Sequence, residues 1–273
     1  MTTLSRWMKT ACWDEYAATF TYANEAARNG ILKMQNERWT DHALGPFVKY
    51  ERVNNVSAFV GDDHPLSLRL TAKAVGPAYR AKNHLQDRFA ARDSNVTVTR
   101  HESVPVSLLS SLYERAPPAE AHVLRDETFY GWRFAEPGRE FVTYVARRDG
   151  TPVAAIIVGT DAVAGTASTA HLVEVLPLSG GDELDPVFSS LLSRITLDYA
   201  AVDHICATDG AISHEVFAAH GFARTDTFPL SKFVDAAYLL VCPLGAATDD
   251  PDATRRLTRE NGWATTYCVR LLG

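Results

Sequence analysis

The residues best placed to do chemistry lie between His171 and Pro186. Glu174 stands in an extended run, Thr169 to Leu176, where a carboxylate can accept a proton. Alternate strand residues face opposite sides, so Glu174 either reaches a site or faces solvent and an arginine. Five residues later, Ser179-Gly180-Gly181-Asp182-Glu183-Leu184-Asp185-Pro186 leads into a helical pattern. A helix start offers unsatisfied N–H groups and the positive end of the dipole, which together hold an anion. Gly180 and Gly181 let the backbone approach a phosphate. Asp182, Glu183 and Asp185 oppose one, and Pro186 removes a donor. Two unit charges about 6 Å apart at an effective dielectric of ~20 repel by roughly 3 kcal/mol, the size of a useful binding contact.

Other chemistries lack their parts. The four cysteines, Cys12, Cys206, Cys242 and Cys268, are far apart, with no C-x-x-C pair, and read as buried free thiols. His214 and His220 are too far out of phase to share a helix face, and His171 and Glu174 alternate across a strand, so no metal site is expected. There is no G-x-S-x-G elbow, Walker loop or dinucleotide fingerprint. A net charge of −6 argues against a nucleic-acid partner, which needs a cationic surface. No apolar run approaches the roughly 18 residues of a membrane helix, and no secretory signal opens the chain, so a cytoplasmic location is expected. Six lysines against nineteen aspartates would suit a high-salt cytoplasm; a GC-rich genome biases codons the same way, and both readings stay open.

At 273 residues, 46% of them hydrophobic, the chain can bury a substantial core. Periodicity predicts a helix over 4–16, a strand from Thr19 to Ala23, a helix capped by Asn24 through Asn36, and an extended run from Val48 to Ala58. A basic helical stretch, Leu66 to Ala91, breaks at Gly76-Pro77, because proline cannot continue a helix without losing a hydrogen bond. Val96 to Arg100 is a strand, Ser107 to Arg115 and Asp126 to Phe134 are helices, and Glu140 to Arg147, Val153 to Thr160 and Thr169 to Leu176 form a meander turning at Asp149-Gly150. Asp185 caps a helix with Val187, Phe188, Leu191, Leu192, Ile195 and Tyr199 on one stripe. A strand at His204 to Ala207, a helix at Ile212 to His220, and extended runs at Phe228 to Val234 and Tyr238 to Cys242 follow. The tail adds a helix, Asp252 to Glu260, and a strand, Ala264 to Leu271.

The order strand, Asn or Asp, helix, aromatic, Thr-Asp occurs twice, from Phe20 to Asp41 and from Ile205 to Asp226. On that echo residues 1–60 are the C-terminal half of a module, 61–100 a helical linker, 101–244 a whole module, and 245–273 an extension of helix and strand. A half-module exposes a sheet edge and must pack on the second module or on a partner chain, as in a homodimer. A lost upstream half, or a gene start placed too late, would leave such a sequence.

The meander, then His171-Leu-Val-Glu-Val-Leu-Pro177, a helix, a short strand, and a helix ending Ala218-Ala219-His220-Gly221-Phe222 resemble the GNAT (GCN5-related) N-acyltransferase superfamily over roughly residues 101–244. Phe129-Tyr-Gly-Trp-Arg-Phe134 is similar to the start of second modules in tandem GNAT proteins. The resemblance implies an α/β (α+β) fold with a mixed, mostly antiparallel central sheet flanked by helices. It also implies an acyl-CoA, such as acetyl-CoA, held where the fourth and fifth strands splay apart. Leu172, Val173, Val175 and Leu176 would then hold pantetheine, and Ser179, Gly180 and Gly181 would touch the pyrophosphate. Glu174 would assist an amine acceptor in attacking the thioester. Phe217 stands where the family often has a tyrosine. The tandem arrangement also resembles Fem-type aminoacyl transferases, which use a charged tRNA that an acidic chain suits poorly. The competing expectation is a non-catalytic GNAT-like binding or structural module that has lost the coenzyme site.

Overall fold

The computed structural model describes residues 16–33, 40–60, 65–90, 94–135, 139–161, 167–208, 210–228, 230–232, 234, 236–259 and 262–266. The N-terminal part runs β1 (Ala18–Asn24), α1 (Glu25–Leu32), β2 (His42–Phe47), β3 (Lys49–Val53), α2 (Val56–Val60) and α3 (Leu66–Phe89). Then come β4 (Val96–His101), α4 (Val106–Arg115), α5 (Glu127–Arg133), β5 (Phe141–Arg148), β6 (Thr151–Asp161), β7 (Thr169–Leu176), α6 (Asp185–Asp198), β8 (His204–Thr208), α7 (His214–Ala219), β9 (Ala223–Arg224), β10 (Ala237–Pro243), α8 (Ala246–Asp249) and α9 (Pro251–Thr258). Among the described residues no helix is long and apolar enough to cross a membrane.

Two sheets result. The larger has the order β4-β5-β6-β7-β8-β3-β9, antiparallel throughout except for the parallel pair β7 and β8. The smaller has the order β1-β10-β2 and is antiparallel. The two ends of the chain therefore exchange strands. β3 lies between β8 and β9, and β10 lies between β1 and β2. The two stretches that echo each other in sequence each open on the outer strands that receive the other's final strand. The boundary drawn between residues 100 and 101 falls inside β4.

Strand alternation sets the layers. One face of the large sheet packs Tyr144, Ile156, Leu172 and Ile205 against Val187, Phe188, Leu191, Leu192 and Ile195 of α6 and Val216 and Phe217 of α7. The other packs Val145, Ile157, Val173 and Leu176 against Leu109 and Leu112 of α4 and Tyr130 of α5. Leu44, Leu239 and Val241 make a small core under the three-stranded sheet.

Local signals hold where capping chemistry decides. Asn24, Asp126 and Ser213 each accept a backbone N–H at the start of α1, α5 and α7. Asp149 and Gly150 take positive φ at the β5–β6 turn. Elsewhere packing overrides them. α3 is one helix through Gly76 and Pro77, not two; Pro77 is solvent-exposed, and a single missing hydrogen bond is tolerated inside 24 residues of helix. The run from Val48 ends as a strand at Val53 and then turns into α2, and Leu230–Lys232 is a 3-10 turn where an extended run was expected. Leu184, not Asp185, is the residue before α6, and Asp185 turns its carboxylate to Ser213 instead. The expected helix over 4–16 lies outside the described residues except for Tyr16, and the strand expected over 264–271 lies outside them beyond residue 266, with 264–266 in no strand.

β3 is fixed in its foreign sheet by Arg52, only 3% exposed. Its guanidinium makes two 2.8 Å hydrogen bonds to Asp87 of α3 and donates to the His220 carbonyl at the end of α7. Burial works against ionisation of Asp87. The His220 ring, with Nδ1 3.7 Å from the carboxylate, and the Arg52 fork outweigh it and lower the pKa from 3.8 to about 2. A depressed carboxylate contributes stability above its unfolded pKa and loses it as pH falls through the folded value. Asp87→Asn should therefore cost at least about 2 kcal/mol at neutral pH. In urea titrations its deficit against wild type should shrink as pH falls from 3.8 toward about 2. A deficit independent of pH would contradict this account.

Candidate functional site

β7 and β8 are paired only at Thr169–His204, Ala170–Ile205 and His171–Cys206, after which β7 continues to Leu176 while β8 ends at Thr208. The strands therefore part toward their C-terminal ends. A bulge in the β6–β7 ladder, where Ile157 pairs with Glu174 and Val158 with Leu172, bends β7 just past its last pair with β8. Four antiparallel strands followed by a parallel, diverging fifth are the arrangement that the GNAT resemblance implied. The fold is GNAT-like.

No family model matches the chain, and no curated protein matches it by sequence. Among solved structures it is similar to a GCN5-related N-acetyltransferase from Anabaena variabilis ATCC 29413, at 9% identity and a TM-score of 0.46 over 87% of this chain and 48% of that one. A tandem GNAT protein from the clavulanic acid biosynthesis pathway gives 12% identity and a TM-score of 0.45 over 87% of this chain and 66% of that one. A GCN5-related N-acetyltransferase from Kribbella flavida gives 13% and 0.43 over 89% and 74%. The chain thus spans about half the length of the first of these. Such distant overlaps carry no functional argument, and the fold assignment rests on the strand order.

The side chains of the sequence-derived site divide between the two faces of β7. Leu172 belongs to the α6 core, which Val175 flanks, while Val173 and Leu176 belong to the α4 and α5 core. Ser179, Gly180 and Gly181 form an exposed turn with Asp182 and Glu183. Gly180 lies hard against the loop after β8: a Cβ there would sit 1.8 Å from the Ala211 carbonyl oxygen. Ser213 donates to Asp185 at 2.8 Å, which ties the start of α7 to the start of α6. The two loops thus meet across the mouth of the splay.

Glu174 is 1% exposed and faces Arg125, which is fully buried, with Nε 3.3 Å from Oε2. Arg125 comes from the loop before α5. It also bonds Thr266 Oγ1 at 3.0 Å and the Val123 carbonyl, and lies 4.9 Å over the Phe129 ring. Phe217 stacks on Tyr50 of the exchanged strand β3, with centroids 4.3 Å apart. An open cleft of about 550 Å³ beside the two loops is lined by Leu44, Phe47, Leu178, Ser179, Gly210 and Trp263.

At the other end of β7 and β8 the structure assembles a group that sequence reading missed. Glu51 of β3 stands opposite Cys206 in register, and Cys206 opposite His171. Glu51 Oε2 is 3.0 Å from both His204 Nδ1 and Cys206 Sγ. Burial, reinforced by the Glu51 charge, pushes the Cys206 thiol well above its ordinary pKa. His171 Nε2 is 3.0 Å from Asp161, yet burial outweighs that carboxylate and lowers the ring's pKa. Glu51 and Cys206 are 155 residues apart, and His204 and Cys206 share only an i, i+2 spacing on a short strand. That spacing was the only signal, and it is weak.

Two glycine substitutions test the contact between the loops, and a third change tests the Glu174 pair. Gly180→Ala forces backbone apart and should cost about 1–3 kcal/mol or more in denaturant unfolding. Gly181→Ala, with no atom within 4 Å of its Cβ, should be close to neutral. Arg125→Met leaves the Glu174 carboxylate buried beside an apolar chain and should cost about 3–5 kcal/mol. Equal costs for both glycine variants would place the contact elsewhere.

Proposed function

We propose that this chain is a GNAT-like binding module that has kept the fold and closed the coenzyme path. The contact of Gly180 with Ala211 carries this reading, since a pantetheine arm lying between the parted strands would have to pass where the two loops touch. Asp185 supports it. At the start of α6, where backbone N–H groups would receive a pyrophosphate, the protein supplies its own carboxylate, hydrogen-bonded to Ser213. Glu174 and Phe217 add to it: the carboxylate is engaged by Arg125, and the ring that replaces a tyrosine carries no hydroxyl. On this reading the ligand surface is the cleft of about 550 Å³ between the β2 turn and the Leu178–Gly180 loop, within the range of small-molecule sites.

The second reading is acyl-CoA-dependent transfer to an amine. The position of that cleft favours it, because Ser179 and Gly180 at the end of β7 line its wall. Leu172, Val173, Val175 and Leu176 would then offer backbone groups to the pantetheine, and Ser179, Gly180 and Gly181 would face the pyrophosphate. Glu174 would take the amine proton only after leaving Arg125.

Calorimetric titration with acetyl-CoA and with a long-chain acyl-CoA, at low and high salt, separates the two. The binding-module reading expects no heat of binding up to millimolar coenzyme, and no thiol release when acyl-CoA is mixed with a panel of amines. Saturable binding that weakens when Ser179 and Gly181 are replaced by aspartate would overturn it in favour of transfer.

A further inference from the structure

Glu51, His204 and Cys206 bring three different ligand atoms to one point, all within 4.8 Å of one another. The separations are 3.0 Å from oxygen to nitrogen, 3.0 Å from oxygen to sulfur and 3.4 Å from nitrogen to sulfur. Ligand distances of 2.0–2.3 Å in a tetrahedral shell give edges of about 3.3 to 3.6 Å, so each contact has to open by only a few tenths of an ångström.

The ring's hydrogen bonds sharpen the point. His204 Nε2 lies 2.7 Å from Thr169 Oγ1, whose own hydroxyl points to the Ala167 carbonyl at 3.4 Å. If the hydroxyl proton goes to that carbonyl, Nε2 must be the donor. Nδ1 then turns a lone pair toward the Glu51 carboxylate, and two acceptors 3.0 Å apart need a cation between them. A proton on Nδ1 is one answer and a metal ion is another. The metal answer neutralises the site: a dication with one carboxylate and one thiolate sums to zero charge, which suits groups of which Glu51 and Cys206 are under a tenth exposed.

We propose that Glu51 Oε2, His204 Nδ1 and Cys206 Sγ form a binding site for a divalent transition-metal ion of the zinc class, with the fourth position open to water. Thiolate with imidazole and carboxylate selects zinc over magnesium or calcium, which favour oxygen alone. Three protein ligands and one open position are the pattern of reactive rather than purely structural zinc. Thr169 is a positioning residue, holding the ring through its far nitrogen. Binding replaces the thiol hydrogen: the S–H bond breaks, a sulfur–metal bond forms, and one proton leaves to solvent. Because Glu51 lies on the exchanged strand, the site exists only when the two ends of the chain interlock.

The full chain, stripped with chelator, is titrated with zinc by calorimetry and with cobalt(II) by absorption spectroscopy. One equivalent per chain and a near-ultraviolet thiolate-to-cobalt band are expected. Cys206→Ser should abolish the band, His204→Ala should weaken binding at least tenfold, and Thr169→Val should weaken it by about 10-fold. Cys242→Ser should leave both signals intact. Where Cys206→Ser fails to fold by circular dichroism, Glu51→Gln carries the test, because it keeps the shape and loses the ligand charge. No band in the wild-type chain, or a band that survives Cys206→Ser or Glu51→Gln, overturns the assignment.

Discussion

The exchange of strands between the two ends of the chain is the constraint on which the rest depends. β3 and β10 each complete a sheet begun by the opposite end, so neither sheet keeps its order without residues far apart in sequence. A lone strand inserted between two others satisfies its backbone on both edges. Arg52 shows how the exchange is held. It lies on the inserted strand and bonds Asp87 of α3 and the end of α7 at once. Tyr50, two residues earlier, fills the core beside Phe217.

The same interlock shapes both ends of the β7 and β8 pair. At the parallel end β3 brings Glu51 to Cys206 and His204. At the diverging end the strands part as in an acyl-CoA fold, but the loops that follow them touch through Gly180 and Ala211 and are latched by Asp185 and Ser213. Val187 and Ile212, beside these loops, are packed in the core, with Leu184 against it. The loops that follow the parted strands are packed against each other.

Charge acts in the same direction. The turn from Ser179 carries Asp182 and Glu183 on its exposed side and Asp185 at the helix start, in a chain whose net charge is already −6. A helix N-terminus stabilises negative charge through its free N–H groups and dipole, and an internal carboxylate collects that stabilisation before a ligand can. Glu174 illustrates the converse. Its carboxylate is buried, so it needs a counter-charge, and Arg125 supplies one from a loop that nothing in the local sequence ties to the strand.

By itself the sequence determined what depends on neighbours along the chain. The meander, the α6 stripe, the caps at Asn24 and Asp126 and the hairpin turn at Asp149-Gly150 follow from periodicity and backbone chemistry that act over a few residues. The acidic, proline-bearing turn from Ser179 to Pro186 was equally legible, since its charges lie within four residues. Only the tertiary structure decided which strand fills which sheet and that Gly180 closes on Ala211. It alone revealed the pairing of Glu174 with Arg125 and the meeting of Glu51 with His204 and Cys206. Each of these depends on side chains or strands brought together across tens to hundreds of residues, where register and packing, not local propensity, set the partner.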